Sequence, residues 1–137
     1  MNLSLCIVDV KDIKYVWHEV KPLIEKALSH ADGEMLSSDV LNLILDGIQV
    51  LWIGLNEDQI FCAGTTEITN YPQKKVLRII TFASKSGHHY ELWSDFIHTL
   101  EEYGKACECS SIEAWARKGL AKKLKWDNEY SVITKNI

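Results

Sequence analysis

From Ile13 to Leu28 apolar residues recur at steps of three and four: Ile13, Val16, Trp17, Val20, Leu23, Ile24, Ala27 and Leu28. That spacing lines one face of an amphipathic helix. Asp12 stands where its carboxylate can accept from the freed N–H groups of the first turn. Pro22 reads either as a kink or as the first position of a second helical segment. Before this helix, Ser4–Val10 alternates weakly and is rich in β-formers, which predicts a short strand. After it, Ser29–Glu34 forms a loop with Asp32-Gly33 as its turn signal. A second helix follows through Val40, Leu41, Leu43, Ile44 and Leu45, capped by Ser37 or Ser38 and stopped by Gly47 at C′.

The period then changes to that of strands. Ile48–Leu55, Ile60–Tyr71 and Lys75–Ala83 read as three strands joined by turns at Asn56–Asp58 and Tyr71–Gln73, with a bulge at Ala63-Gly64. Connections this short can only make an antiparallel meander. A polar loop (Ser84–His89) leads into a long helix, with Trp93, Phe96, Ile97, Leu100, Tyr103 and Cys107 on one stripe. Ser111–Trp115 is a strand, Arg117–Leu124 a short helix and Tyr130–Thr134 a last strand. A strand that returns through a long helix pairs in parallel with the strand it left. The prediction is therefore one α/β (or α+β) domain over residues 1–137, with a mixed sheet of six to seven strands and helices on both faces. It also puts Ser84–His89 where a strand's carboxyl end meets a helix amino end, where free amides and the helix dipole suit a phosphate.

Composition adjusts this picture only at the edges. A length of 137 residues suits one domain with a core, and 47% apolar with 25% charged residues is ordinary for a globular chain. The net charge of −4 and the scattered lysines argue against nucleic acid as a partner. Lys118, Lys122, Lys123 and Lys125 read as the solvated face of a short helix. The amino end has neither the basic head nor the apolar run of a signal peptide, and no stretch approaches the length of a membrane span, so the expected setting is cytoplasmic and away from membranes. Cys6, Cys62, Cys107 and Cys109 are expected as free thiols, with Cys62 in the core. His88-His89 and Cys107/Cys109 lie at opposite ends of the long helix, which excludes a shared metal site.

The element order, with a loop-to-helix turn after the fourth strand, resembles the GNAT-type N-acetyltransferase superfamily. The likeness is strongest over Leu36–Trp126, especially ILDGIQVLWIGLNEDQIFCAGTTEITNYPQKKVLRIITFAS. This run also resembles small GNAT-like proteins of tailed phages and prophages. The resemblance implies that acetyl-CoA enters between strands 76–83 and 111–115, with its pyrophosphate on a Q/R-x-x-G-x-G/A loop. Gly87 matches the first glycine of that pattern, while Ser84 and His89 stand where the pattern has Gln or Arg and Gly or Ala. Ser84, Lys85, Ser86, Gly87, His88 and His89 are thus the cofactor-binding candidates. The acceptor, a small amine or a protein amine, is expected from the side of the two amino-terminal helices. Glu67, the acidic residue within the meander, is the candidate general base. Alternation puts it on one face with Thr65 and Thr69. Glu113 is expected exposed or paired with Arg117. The short last helix lacks the Tyr that protonates the leaving thiolate in many members, so the general acid is unassigned. The contrasting reading is a non-catalytic GNAT-fold module that serves as a virion component or binds a phage structural partner.

Overall fold

Three successive strands, β2 (Gln49–Asn56), β3 (Gln59–Tyr71) and β4 (Lys74–Ser84), pair antiparallel and form the centre of the molecule. The computed structural model describes residues 3–30, 33–85, 90–114, 122, 124–128 and 132–137. The β2–β3 turn holds Glu57 and Asp58 at φ 51° and 63°, the positive pair that matches hairpin twist. β1 (Leu3–Ile7) adds antiparallel to β2, and β5 (Ser111–Ala114) adds parallel to β4 after the long helix α3 (Tyr90–Ala106). The order is β1-β2-β3-β4-β5.

The sheet thus has five strands among the described residues, not six to seven. Val132–Thr134, the described part of the expected last strand, is not in a ladder, and Val132 and Ile133 lie exposed. A strand exists only through the neighbour that takes its hydrogen bonds. The expected helix at 117–124 falls largely outside the described residues. β1 ends at Ile7, short of the expected Val10, because Val10–Asp12 turns into a 3-10 segment opened by the Asp9 carboxylate on the Lys11 amide (3.2 Å).

Helices α1 (Ile13–Leu28) and α2 (Ser37–Leu45) cover one face of the sheet and α3 the other. α1 runs unbroken through Pro22. Asp12 makes no side-chain cap to it, since Asp9 has already met the first turn. α2 is likewise not capped by Ser37 or Ser38. Leu36 is its N-cap, and the Asp39 carboxylate reaches back to the Leu36 amide at 2.9 Å. Its end follows expectation: Gly47 at φ 76° lets its own amide bond Ile44 O and the Ile48 amide bond Leu43 O.

Under α1 and α2 lie Leu51, Ile53, Ile60, Ala63 and Ala83, with Ile13, Val20, Leu23, Ile24, Val40 and Ile44 above them. Under α3 lie Trp52, Leu77 and Ile79, packed on Phe96, Ile97 and Leu100. Gly64 belongs to this second face. A Cβ there would stand 2.9 Å from Thr81 O and 3.1 Å from both the Phe82 and Phe96 rings, so glycine is what lets the aromatic layer close on the sheet.

The bulges differ from the expected Ala63-Gly64. One register shift leaves Phe61 of β3 as the extra residue opposite Gly54/Leu55, and the other leaves Ile80 of β4 as the extra residue opposite Thr65/Thr66. Cys62 packs with no exposure, as the sequence suggests, and burial pushes its thiol from an ordinary 9.0 up to about 11. The folded thiol keeps its proton where an unfolded one loses it. The sign follows: this contribution is intact below pH 9 and is lost as the pH rises through about 11. A Cys62→Ala control should show a smaller fall in urea midpoint over that window, and a thiol reagent at pH 8 should modify exposed Cys6 before Cys62.

Candidate functional site

The strand registers align four polar residues in a row across the sheet. Gln49 faces Glu67 across β2 and β3, Glu67 faces Arg78 across β3 and β4, and Arg78 faces Glu113 across β4 and β5. At about 4.8 Å per strand the row is roughly 14 Å long. Gln49 shares its parity with Leu51 and Ile53, so the row lies on the α1/α2 face. The apolar residues under α1 and α2 (Leu51, Ile53, Ala63 and Ala83) lie to one side of the row along the strands, and Thr69 and Val76 to the other.

The row is wired at one end and bare at the other. Arg78 Nε donates to Glu113 Oε1 at 2.7 Å, Arg78 Nη2 donates to the Tyr71 hydroxyl at 2.8 Å, and that hydroxyl donates to Glu113 Oε1 at 2.9 Å. Partial burial pulls the Arg78 pKa down, but the bonds to Glu113 and Tyr71 outweigh it and hold the guanidinium above its ordinary value. Glu113 is therefore paired with Arg78, across the strands, and is not left exposed; Arg117, its expected partner, lies outside the described residues. Register decides this: the directly opposite residue is within reach without straining either backbone. Glu67 is half-buried and makes no hydrogen bond or ion pair among the described residues. Gln49 is 2% exposed, with neither its carbonyl oxygen nor its amide nitrogen bonded among the described residues. The Thr69 hydroxyl, on the face of Glu67, is also buried and unpartnered.

One step along the sheet, the Thr65 and Thr81 hydroxyls share a buried 2.7 Å bond. Next to them is the Ile80 bulge. Its extra residue has no register partner on β3, and the described β4–β5 ladder ends at Ile79–Ala114, one residue earlier. A bulge residue is free of the ladder, so the Ile80 backbone is where β4 can offer hydrogen bonds to a ligand.

At the end of β4, Ser84 is 1% exposed and its carbonyl accepts from Lys26 Nζ of α1 at 2.8 Å. The Lys85 amide donates to Phe61 O, the carbonyl of the other bulge, at 2.8 Å. The Lys85 ammonium faces Glu19 Oε2 at 3.2 Å, both side chains being well exposed. That amide is occupied, and the exposed pair leaves the lysine charge available to an anion at little cost. Ser86, Gly87, His88 and His89 lie outside the described residues.

No family model matches the sequence, and no curated protein resembles it in sequence. Solved structures do match the fold. A predicted acetyltransferase from Clostridium acetobutylicum, solved with acetyl-CoA, superposes with a TM-score of 0.71 over 98% of this chain and 96% of that one, at 15% identity. An aminoglycoside acetyltransferase from an uncultured soil metagenomic sample gives 0.73 over 100% and 98%, at 13% identity. A ribosomal-protein-alanine N-acetyltransferase from Brucella melitensis biovar Abortus 2308 gives 0.72 over 99% of each chain, at 10% identity. The fold is therefore that of the GNAT acetyltransferases, with a mixed sheet, a parallel β4–β5 pair and helices on both faces.

Sequence reasoning named Glu67 and Glu113 but passed over Gln49 and Arg78, the residues opposite Glu67 on either side. Arg78 stands as a lone charge in an apolar run (VLRIITFA), and Gln49 as a lone polar residue in IQVLWIGL. Those isolated polar positions were the available signal, because a buried strand does not carry such groups without a use for them. Their common row required the register.

Proposed function

We propose that the chain is a CoA-dependent N-acyltransferase that carries an acetyl group from acetyl-CoA to an amine. The observation that carries this reading is a half-buried carboxylate, Glu67, unpartnered among the described residues, on the strand beside the bulge that leaves Ile80 without a register partner on β3. The acyl donor supplies an activated thioester. Its thioester end fits at Ile80, where an amide outside the ladder can face a carbonyl oxygen. Its phosphate end belongs beyond Ser84, where the Lys85 ammonium is exposed and where the sequence carries Gly87. The acceptor approaches along the polar row on the α1/α2 face.

In this arrangement Glu67 takes a proton from the acceptor ammonium, and the nitrogen lone pair becomes free to bond the acetyl carbon. The C–S bond breaks, the second proton of the new N–C bond's nitrogen passes through solvent to the departing sulfur, and CoA leaves as the thiol. Arg78, fixed by Glu113 and Tyr71, stands directly opposite Glu67 across β3 and β4 and keeps a positive charge at the row. Holding donor and acceptor together accounts for most of the rate, since positioning alone can supply about 7–11 kcal/mol.

A second reading, a non-catalytic module of the same fold acting as a virion component or partner-binding protein, draws support from the occupied Lys85 amide. Mass spectrometry of amine mixtures incubated with acetyl-CoA separates the two. An acetylated amine dependent on the protein supports transfer. Unchanged amines together with no binding of acetyl-CoA support the module.

A further inference from the structure

β1 stands at the edge of the sheet, with β2 as its neighbour. The Val8 amide bonds Leu51 O at 2.9 Å, and the β1–β2 register carries on from that pair through Cys6↔Ile53 and Ser4↔Leu55. In an antiparallel ladder such hydrogen-bonded pairs alternate with pairs whose amides and carbonyls point the other way. Ser4, Cys6 and Val8 therefore bond inward to β2, and Leu3, Leu5 and Ile7 turn their backbone groups outward. Nothing meets those outward groups among the described residues, and Ser4, Cys6 and Ile7 are exposed. Proteins blunt a free edge with charge, proline or a bulge. β5, at the other end of the described sheet, carries Glu113. Leu3–Ile7 (LSLCI) has no charge, no proline and no register shift against β2.

We propose that two copies of this chain pair through β1, antiparallel and about a twofold axis at Leu5, to make one continuous sheet. The pairing is independent of acetyl transfer. A second copy fits because the edge is complementary to itself. With Leu5 opposite Leu5 of the second copy, Leu3 stands opposite Ile7, and the outward groups of all three residues form hydrogen-bonded pairs of two bonds each. Sliding the strands by two residues sets Leu3 opposite Asp9, whose carbonyl already accepts from the Asp12 amide at 2.8 Å. Sliding them the other way sets Ile7 beyond the first residue of β1. Directly opposite side chains share a face, so Ile7, 44% exposed, is covered by Leu3 on the α3 side, and Ser4 meets Cys6 on the α1/α2 side. Charge selects the same direction. Lys11 follows the carboxyl end of β1, while the exposed Glu57 and Asp58 flank its amino end one strand in, because Leu3 faces Asn56. Antiparallel pairing brings Lys11 toward the acidic turn of the second copy, roughly two strand spacings (~10 Å) away, and a parallel one would bring acidic turns together. Asp9 and Asp12 also lie at the Lys11 end, so charge sets direction while backbone bonds and apolar contacts supply the affinity. So short an edge buries less than about 1,200 Å² in total, which puts association at high protein concentration.

The test is sedimentation velocity on the whole chain from about 0.01 to 1 mM, with amide hydrogen exchange at both ends of that range. A monomer should give way to a dimer as concentration rises. The Leu3, Leu5 and Ile7 amides should gain protection, while those of Ser4, Cys6 and Val8, already bonded to β2, should change little. Ser4→Cys should yield a covalent dimer under glutathione disulfide, which is reduced to two glutathione thiols for each bond formed. Position 4 then faces Cys6 of the second copy in a non-hydrogen-bonded pair, where the side chains come closest. Ile7→Lys, at an exposed position, should keep Tm within about 2 °C and stay monomeric at 1 mM. A parent protein that is monomeric at 1 mM overturns the inference. So does a dimer whose Leu3, Leu5 and Ile7 amides exchange as in dilute protein, or one that Ile7→Lys leaves intact.

Discussion

Replacing Glu67 by Gln is expected to lower acetyl transfer by roughly 10²–10⁴-fold, the range that a positioned proton acceptor supplies. Size, planarity and strand preference barely change, so the β2–β3–β4 ladders around position 67 should hold, with stability within about 0.5 kcal/mol of the parent. The affinity for acetyl-CoA should stay as it was, because the seat proposed for the donor is at Ile80 and beyond Ser84, not at the row. The loss should shrink as pH rises, since an acceptor that is already deprotonated no longer needs the carboxylate. Rates from mass-spectrometric product counts at pH 7 and pH 10 check both parts. Equal rates for the two proteins at pH 7 would return Glu67 to the role of a solvated residue on a sheet face.

The second large effect concerns the opposite face. Phe96→Ala should cost about 3–5 kcal/mol in urea unfolding, against a total of about 5–15 kcal/mol for a domain of this kind. Phe96 is 1% exposed and sits between Phe82 (ring centroids 4.4 Å apart), Trp52 (6.4 Å, near-perpendicular) and Trp93 (6.4 Å, near-perpendicular). These rings pack over Gly64, where the sheet has no side chain, so truncation leaves a hole the backbone cannot fill. Since α3 docks through this layer, its loss should also weaken acetyl-CoA binding by loosening the helix amino end. Phe96→Leu keeps most of the volume and should cost much less.

The architecture was legible wherever a period was sustained. The α1 stripe, the three-strand meander and the α3 crossover each carried enough repeats to fix type and order, and the crossover alone predicted the parallel β4–β5 pair. Caps were harder to read. Asp12, Ser37 and Ser38 are all good capping residues by type, but Asp9 and Asp39 occupy those roles because the chain enters each helix one to three residues earlier or by a different route. The bulges at Phe61 and Ile80 have no glycine to announce them; they arise from the pairing of whole strands. For the site the division is similar. The face of Glu67 followed from alternation, while most of the loop expected after β4 lies outside the described residues. The row joining Gln49, Glu67, Arg78 and Glu113 depends on three registers at once, and a one-residue slip in any of them would scatter it. Tyr71 entered the site only through its bonds to Arg78, seven residues on in β4, and to Glu113 on β5, contacts that local pattern does not encode.

The central claim is that β4 beyond its bulge is the acyl donor's seat. The most direct measurement is a titration of the isotope-labelled protein with acetyl-CoA, followed through backbone amide resonances. The account predicts saturable shifts that centre on Ile80 and extend through Ser84 into the start of α3, with β1 and β2 nearly silent. Saturation that leaves Ile80–Lys85 unmoved, or no binding at millimolar ligand, would contradict it.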